Sequence, residues 1–488
     1  MTKAAHFFSR PPVRDRLLLV LLSLVLFLPF LGSVHLFDWD EINFAECSRE
    51  MLVTGDYLRV QVDFQPFWEK PPLFFWLQVL SMKAFGVNEF AARFVNALCG
   101  MVTLLLVYGL GARLYSRRLG MFWALAFAGS LLPHMLFKSG IIDPVFNVLI
   151  FSGVYFLSRS TCDGATKGPG NCALAGLSIG LAVLAKGPVG FLVPALCLGA
   201  YVTIRRFAVR PAVAQLAVFA GCAAAVSFVF YGIETIAHGT WYLREFIKYH
   251  LRLLSTSEAG HGEPFYYHFV VLLFGCFPAS ILAMRPLFTR TPGSDSRADF
   301  KRWMVVLFWT VLVLFSIVKT KTVLYSSLAY FPLTFLAAYH IDALLEKRLV
   351  WRNAEAVPTL VFGVLIGLVF AMVPVVFMNG ERVAALINDR FAAGNLTKDV
   401  SWSGYEVLAG IAYAGAVVVS LGIVRRGRLA RGFATLFLAS AFGIGILMIA
   451  LVGRVENHMQ RGPIEFYQGL AGTDCYVVAH FKSFADLF

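Results

Sequence analysis

The sequence predicts an all-α polytopic membrane protein, and three observations carry that prediction. The 488 residues are 58% hydrophobic and only 15% charged, whereas a soluble domain carries about a quarter charged residues. Apolar runs of roughly 20 residues, long enough to cross the ~30 Å hydrocarbon layer, recur along almost the whole chain. The short loops between them alternate in Lys and Arg content, as expected of a chain that threads a bilayer repeatedly.

Taken in order, about thirteen spans are expected, near 17–37, 90–114, 120–137, 141–159, 172–185, 188–204, 211–234, 264–284, 303–318, 322–345, 357–379, 405–424 and 430–452. The first has too long an apolar core for a signal peptide, and no small-x-small cleavage site precedes Asp38, so it reads as a retained span. Residues 71–86 are apolar but short and begin with Pro71 and Pro72, which predicts an interfacial helix. With the N-terminus in the cytoplasm, the basic groups around Arg14, Arg117, Arg205, Lys301, Arg348 and Arg425 all fall inside. The odd span count then places the C-terminus outside. The net charge of +13 is mostly this topology signal. Scattered over many loops, it forms no continuous basic patch, so no nucleic-acid partner is expected.

This divides the chain into a membrane domain, 1–452, with a long outer loop at 38–89, and an outer segment, 453–488. Within 41–53, Ile42, Ala45, Met51 and Leu52 are interspersed with Glu46, Arg49 and Glu50, which predicts an amphipathic helix lying on the membrane surface. Asp474–Ala479 reads as a buried strand and Phe481–Phe488 as the start of a helix, together a small, partial soluble segment. The eight cysteines lack metal-type spacing. Cys99, Cys197, Cys222 and Cys276 read as small apolar fillers. Cys162 and Cys172 fall inside, and Cys47 and Cys475 outside, where pairing is open to them. No glycine-rich phosphate loop and no internal repeat is evident.

Because basic residues are expected inside, those outside are the informative ones: Arg49, Arg59, Lys70, Lys138, Lys186, Arg244, Lys248, Arg252, Lys319 and Lys321. Lys70, Lys186, Lys319 and Lys321 sit where loops dip toward the bilayer, a placement that costs roughly 2.5–3.5 kcal/mol per charge and calls for a partner or ligand. Snorkelling accounts for any single one. Several beside carboxylates point to an anionic ligand, most simply a lipid phosphate. The carboxylates are Asp38, Asp40, Glu41 and Glu69 in the first outer loop and Asp143 at the mouth of a span. Asp143 precedes Pro144 and could equally cap the helix. His250 and His261, with a carboxylate such as Glu69, could hold a divalent metal, but their spacing does not demand one. Packing at the interface explains them as well.

In order along the chain, Asp40-Glu41, Ala45-Glu46, Arg49-Glu50-Met51 and Glu69-Lys70-Pro71-Pro72-Leu73 resemble the first outer loop of bacterial GT-C glycosyltransferases. The resemblance is to the branch of the lipid A aminoarabinose transferases, related to protein O-mannosyltransferases. Asp143, Leu184-Ala185-Lys186-Gly187-Pro188, His250-Leu251-Arg252, His261/Pro264/Tyr267 and Lys319–Tyr325 with Pro332 are similar to its later landmarks. The chain departs at Trp39, where this branch usually has proline, and at Leu253, where many members carry arginine. The resemblance implies a GT-C membrane fold and transfer of a sugar from a polyprenyl-phosphate-sugar donor on the periplasmic face of the bacterial inner membrane; a single displacement predicts inversion at the anomeric carbon. It implies Asp40 as the principal catalytic carboxylate, with Asp143 and Glu41 assisting. Lys70, held by Glu69, would meet the lipid phosphate, with Lys186, Arg252, Lys319, Lys321 and Tyr325 completing that site. No cofactor is implied as required. The acceptor stays open among lipid A, another envelope glycan and protein. Many spans with intramembrane charges also fit a transporter or lipid flippase.

Overall fold

Each of the thirteen apolar segments contains a helix in the computed structural model, which describes residues 12–161, 169–209, 211–255, 262–293, 295–470, 472–473 and 487–488. The chain opens with α1 (Val13–Phe27) and α2 (Asp40–Thr54). A two-stranded antiparallel hairpin follows, β1 (Gln61–Val62) with β2 (Gln65–Pro66), then α3 (Leu73–Phe85). Next come α4 (Glu89–Leu114), α5 (Arg117–Ala128), α6 (Leu131–Leu136), α7 (Asp143–Thr161), α8 (Pro169–Lys186), α9 (Val189–Ile204) and α10 (Val213–His238). After α11 (Trp241–Ser255) lie α12 (Tyr267–Gly275), α13 (Ala279–Phe288) and α14 (Ser296–Ile317). A 3-10 turn, Val323–Ala329, runs into α15 (Tyr330–Leu345), followed by α16 (Asn353–Met378), α17 (Gly380–Ala384) and α18 (Arg390–Thr397). Finally α19 (Val407–Arg425) and α20 (Leu429–Glu456) lead through a π turn, Asn457–Arg461, to α21 (Gly462–Gly469).

Among the described residues, eight helices are long and apolar enough to cross a membrane, and the α12–α13 pair makes a ninth if counted as one span. That pair is bent by 120°. The straight span expected at 264–284 is therefore broken, because Pro278 between the helices has no N–H to donate and its ring clashes with the preceding turn. The span expected at 120–137 also divides, into α5 and α6. The break at Gly129 lets the backbone pass so close to α20 that a Cβ there would lie 2.4 Å from the Phe437 carbonyl oxygen.

The core is aromatic and centres on α15, the most enclosed of the long helices. Phe331 stacks on Phe151 with centroids 4.2 Å apart, and Phe335 meets Trp123 edge-on at 5.0 Å. An all-round apolar helix such as α15 belongs in the centre of a bundle. α10 and α16 expose most of their apolar surface and face lipid.

The surface helix expected at 41–53 is instead buried: ten of the fifteen residues of α2 are enclosed. α3 and α4 fold over it, and the small residues Ala45, Ala91 and Ala92 permit the close approach. Its polar groups are satisfied internally. Ser48 Oγ bonds Gln78 Oε1 at 2.9 Å, and Gln78 Nε2 bonds the Ala92 carbonyl at 2.9 Å. The amphipathic element is α11, with Tyr242 and Phe246 buried on one side and Arg244 and Lys248 exposed on the other. Cys47 is buried and unpaired. α20 and the π turn carry helical structure past residue 452 without a break. The strand expected at Asp474–Ala479, and Cys162 and Cys475, lie outside the described residues.

Candidate active site

Asp40 is the first residue of α2, so its carboxylate and that of Glu41 sit at the positive end of the helix dipole. The two then part company. Glu41 is 5% exposed and fully engaged. Arg93 of α4 reaches both its oxygens, at 3.1 and 2.7 Å, while the backbone N–H groups of Phe37 and Gly140 donate to it at 2.9 and 2.5 Å. Burial opposes its charge, but Arg93 and these N–H groups outweigh that and hold its carboxyl below the usual range. Arg93 also bonds the carbonyls of Leu31, Val34 and His35, at 3.0, 2.7 and 2.9 Å. The catalytic expectation for Glu41 thus gives way to a structural role: with Arg93 it pins the loop that presents Asp40.

Glu69 and Lys70 are held from both sides. Upstream, the β1–β2 hairpin is tied to α2 by Glu50, whose two oxygens each accept the Phe64 N–H at 3.0 Å. Downstream, Pro71 and Pro72 lead into α3, and Tyr242 Oη donates to the Lys70 carbonyl at 3.4 Å. Lys70 Nζ lies 4.0 Å from Glu69 Oε2 and 5.2 Å from the Tyr249 ring centre. Burial, together with the neighbouring Glu46, pushes the Glu50 carboxyl up to about 7. A carboxyl whose folded pKa is raised contributes most when protonated, so the stability it supports declines as pH rises toward about 7. Glu50→Gln is therefore expected to melt above wild type at pH 8, with the difference shrinking toward pH 5; melting curves in detergent check this, and a pH-independent difference would contradict it.

Asp143 begins α7, but as its first helical residue rather than as a cap. Its side chain is taken by Lys186 Nζ, 2.5 Å from Oδ1. Lys186 is the last residue of α8, and the turn that follows opens with Gly187 at φ +92°. A Cβ on Gly187 would lie 2.5 Å from Phe246, so glycine is what lets this turn seat against α11. Lys186 Nζ also lies 5.6 Å from the centre of the Tyr325 ring and 5.7 Å from that of Phe146. α11 packs Tyr242 and Phe246 against Leu184 and Phe230, which turns Tyr249 and His250 toward Glu69 and Lys70. His250 Nδ1 bonds the Phe246 carbonyl at 2.8 Å. Burial and Lys70 lower its pKa, favouring the neutral ring.

Asp40 keeps surface open to water while the surrounding protein partly desolvates its carboxyl. Burial raises its pKa above the usual carboxylate range. Lys70 and Lys186 pull it back, while Asp143 and Glu69 add to the rise. The structure thus brings together Asp40, Glu69, Lys70, Asp143, Lys186, Tyr325 and His250, each singled out in the sequence. Among the described residues Asp40 is the carboxylate of this group with no hydrogen bond or ion pair of its own.

The other expected residues are placed differently. Arg252 is exposed at the rim, 5.8 Å from the Tyr249 ring centre. Lys321 is buried beside His268, and Lys319 is exposed; neither is among the charges that act most strongly on Asp40. His261 lies outside the described residues. Among those described, no group of three His, Cys, Asp or Glu side chains is arranged to hold a metal ion. Sequence reasoning missed Tyr249 and Arg93. Tyr249 falls seven residues after Tyr242, on the same helical face, and Arg93 is a charge inside an apolar run, a placement that signals a buried partner.

The family model described as dolichyl-phosphate-mannose-protein mannosyltransferase matches residues 69–231. A curated relative in Pectobacterium carotovorum, undecaprenyl phosphate-alpha-4-amino-4-deoxy-L-arabinose arabinosyl transferase, is 26% identical over 422 residues, 81% of this chain and 73% of that protein. Its counterpart in Edwardsiella ictaluri is 28% identical over 364 residues, 73% of this chain and 62% of that protein. The crystal structure of ArnT from Cupriavidus metallidurans bound to undecaprenyl phosphate superposes with a TM-score of 0.75 at 19% identity, over 94% of this chain and 80% of that one. The chain shares the GT-C membrane fold of that structure. The matched stretch 69–231 takes in Glu69, Lys70, Asp143 and Lys186, and Asp40 stands ahead of it. The GT-C fold explains why charges from loops far apart in sequence meet at one end of a helix bundle.

Proposed function

We propose that this protein is a membrane glycosyltransferase that moves a sugar from a polyprenyl-phosphate-linked donor to an envelope acceptor. The observation that carries the reading is the carboxylate of Asp40, unpaired among the described residues and within electrostatic reach of two ammonium groups, Lys70 and Lys186. Displacing a sugar from a lipid phosphate leaves negative charge on the departing phosphate, which lysines stabilise. Lys70 is the group assigned to that phosphate, with Glu69 and Tyr249 fixing its position. Lys186 is already paired, so it orients Asp143 and adds to the positive field. A hydroxyl acceptor needs a base, and Asp40, with its raised pKa and no competing partner, is the base at hand. A phosphate acceptor is already ionised, and Asp40 then orients it or stabilises positive charge on the sugar ring. One displacement inverts the anomeric carbon.

The curated relatives are named for transfer of aminoarabinose from undecaprenyl phosphate, and a donor of that class fits a site at the end of a lipid-embedded bundle. The acceptor is lipid A, another envelope glycan or a protein. On this reading the N-terminus is cytoplasmic and the site lies on the periplasmic face of the inner membrane, an orientation that the loop charges support. The reading requires no metal for the reaction, and the expected result is an unchanged rate in EDTA.

The test is transfer by purified protein from radiolabelled polyprenyl-phosphate-sugar to extracted envelope acceptors. Lys70→Ala is expected to weaken donor binding by about 10–100-fold, the value of one charge-assisted hydrogen bond. No transfer by wild type to any acceptor would overturn the reading. Wild-type donor affinity in Lys70→Ala would remove Lys70 from the phosphate site.

A further inference from the structure

Every side chain placed at the site comes from residues 40–325, yet the backbone that presents Asp40 is also gripped by the far end of the chain. Beyond α20, the π turn Asn457–Arg461 aims Gln460 at the loop before α2. Gln460 Oε1 accepts the Asp38 N–H at 3.1 Å, and Gln460 Nε2 donates to the Leu36 carbonyl at 2.8 Å. Glu456, fully buried, bonds His35 Nδ1 at 3.0 Å and Arg461 Nε at 2.9 Å.

The turn is itself anchored. His458 stacks on Phe377 with centroids 4.4 Å apart, accepts the Trp402 indole N–H at 3.0 Å and donates from Nδ1 to the Asn395 carbonyl at 2.9 Å. Lys398 Nζ bonds the Asn457 carbonyl at 2.5 Å. A π turn re-aims the side chains around it and recurs at functional positions. Here Glu456 and Gln460 grip residues 35–38, two residues short of Asp40.

We propose that Gln460 is a positioning residue for sugar transfer: by fixing Leu36–Asp38 it sets where the Asp40 carboxylate is presented. The proposal rests on the reading of Asp40 as the catalytic carboxylate. An amide suits the task because the loop offers one donor and one acceptor, and a glutamine side chain answers both. A displacement of about 1 Å at a reacting group costs on the order of 100-fold in rate, so a tether this close to Asp40 acts on turnover rather than on donor binding.

The test compares Gln460→Ala, Gln460→Glu and, as a control, Met459→Ala in the full-length protein; Met459 is exposed in the same turn. Gln460→Ala is expected to lower kcat about tenfold or more with the donor KM within about twofold. Gln460→Glu keeps the acceptor for Asp38 N–H and recovers part of the rate, and Met459→Ala matches wild type. Amide hydrogen exchange of the peptide spanning 36–44 is expected to rise in Gln460→Ala, whatever the activity. Wild-type kcat in Gln460→Ala, or a KM that rises in step with the fall in kcat, overturns the positioning role. Unchanged exchange overturns the tether itself. If wild type transfers no sugar, the functional reading fails, and the exchange measurement still decides whether the tether exists.

Discussion

Asp40→Asn is expected to lower turnover by about 10²–10⁴-fold, the contribution of a positioned general base, while leaving donor affinity within about twofold. Asparagine keeps the size and the polar surface of the side chain, and Asp40 has no salt bridge to lose among the described residues. What disappears is the charge, and with it the capacity to take a proton or stabilise a cationic sugar. On the proposed reading the donor phosphate still meets Lys70. A pH profile separates this effect from misfolding. Burial raises the Asp40 pKa, so the wild-type rate should fall on the acid side at a pH above that of an ordinary aspartate, and the residual rate of the variant should lack that limb. Equal loss of binding and turnover in Asp40→Asn would contradict this division of labour.

The second large effect is structural and concerns Arg93. Its pair with Glu41 is nearly dry, at 4% and 5% exposure. Removing one partner of such a pair leaves a buried charge uncompensated and costs about 3–5 kcal/mol. Arg93→Ala also frees the carbonyls of Leu31, Val34 and His35, so the loop ahead of Asp40 loses its anchor on α4. The expected result is a markedly lower unfolding midpoint in detergent together with loss of activity. Arg93→Lys should recover only part of it, because an ammonium cannot reproduce the guanidinium fork that spans Glu41 and three carbonyls. A wild-type midpoint for Arg93→Ala would show that Glu41 and Arg93 do not hold the loop.

Hydropathy and loop charge made the membrane class legible in the sequence, because both follow from residue type alone. The position of Asp40 at the start of a helix, and the company of Lys70, Asp143 and Lys186, followed from topology and from the order of the motifs. Packing was not legible. In α2 the interspersed Glu46, Arg49 and Glu50 read as a wetted face, but those charges are satisfied inside the fold, Glu46 by a bidentate Arg49 at 2.6 and 2.7 Å. Periodicity reports which residues are polar, and it is silent on whether water or another side chain satisfies them. Glu41 was misread for the same reason, since its partner lies 52 residues away on α4. The break at Pro278 was visible as a proline, but hydropathy averaged over a window runs straight through it.

The most direct test of the central claim is mass spectrometry of envelope lipids and glycans from cells with and without the gene, complemented by wild type or by Asp40→Asn. A sugar-sized mass that disappears without the gene and returns with wild type alone is the predicted result, and it would identify sugar and acceptor together. No change in any envelope glycan or glycoprotein would contradict the transferase reading and favour a transporter.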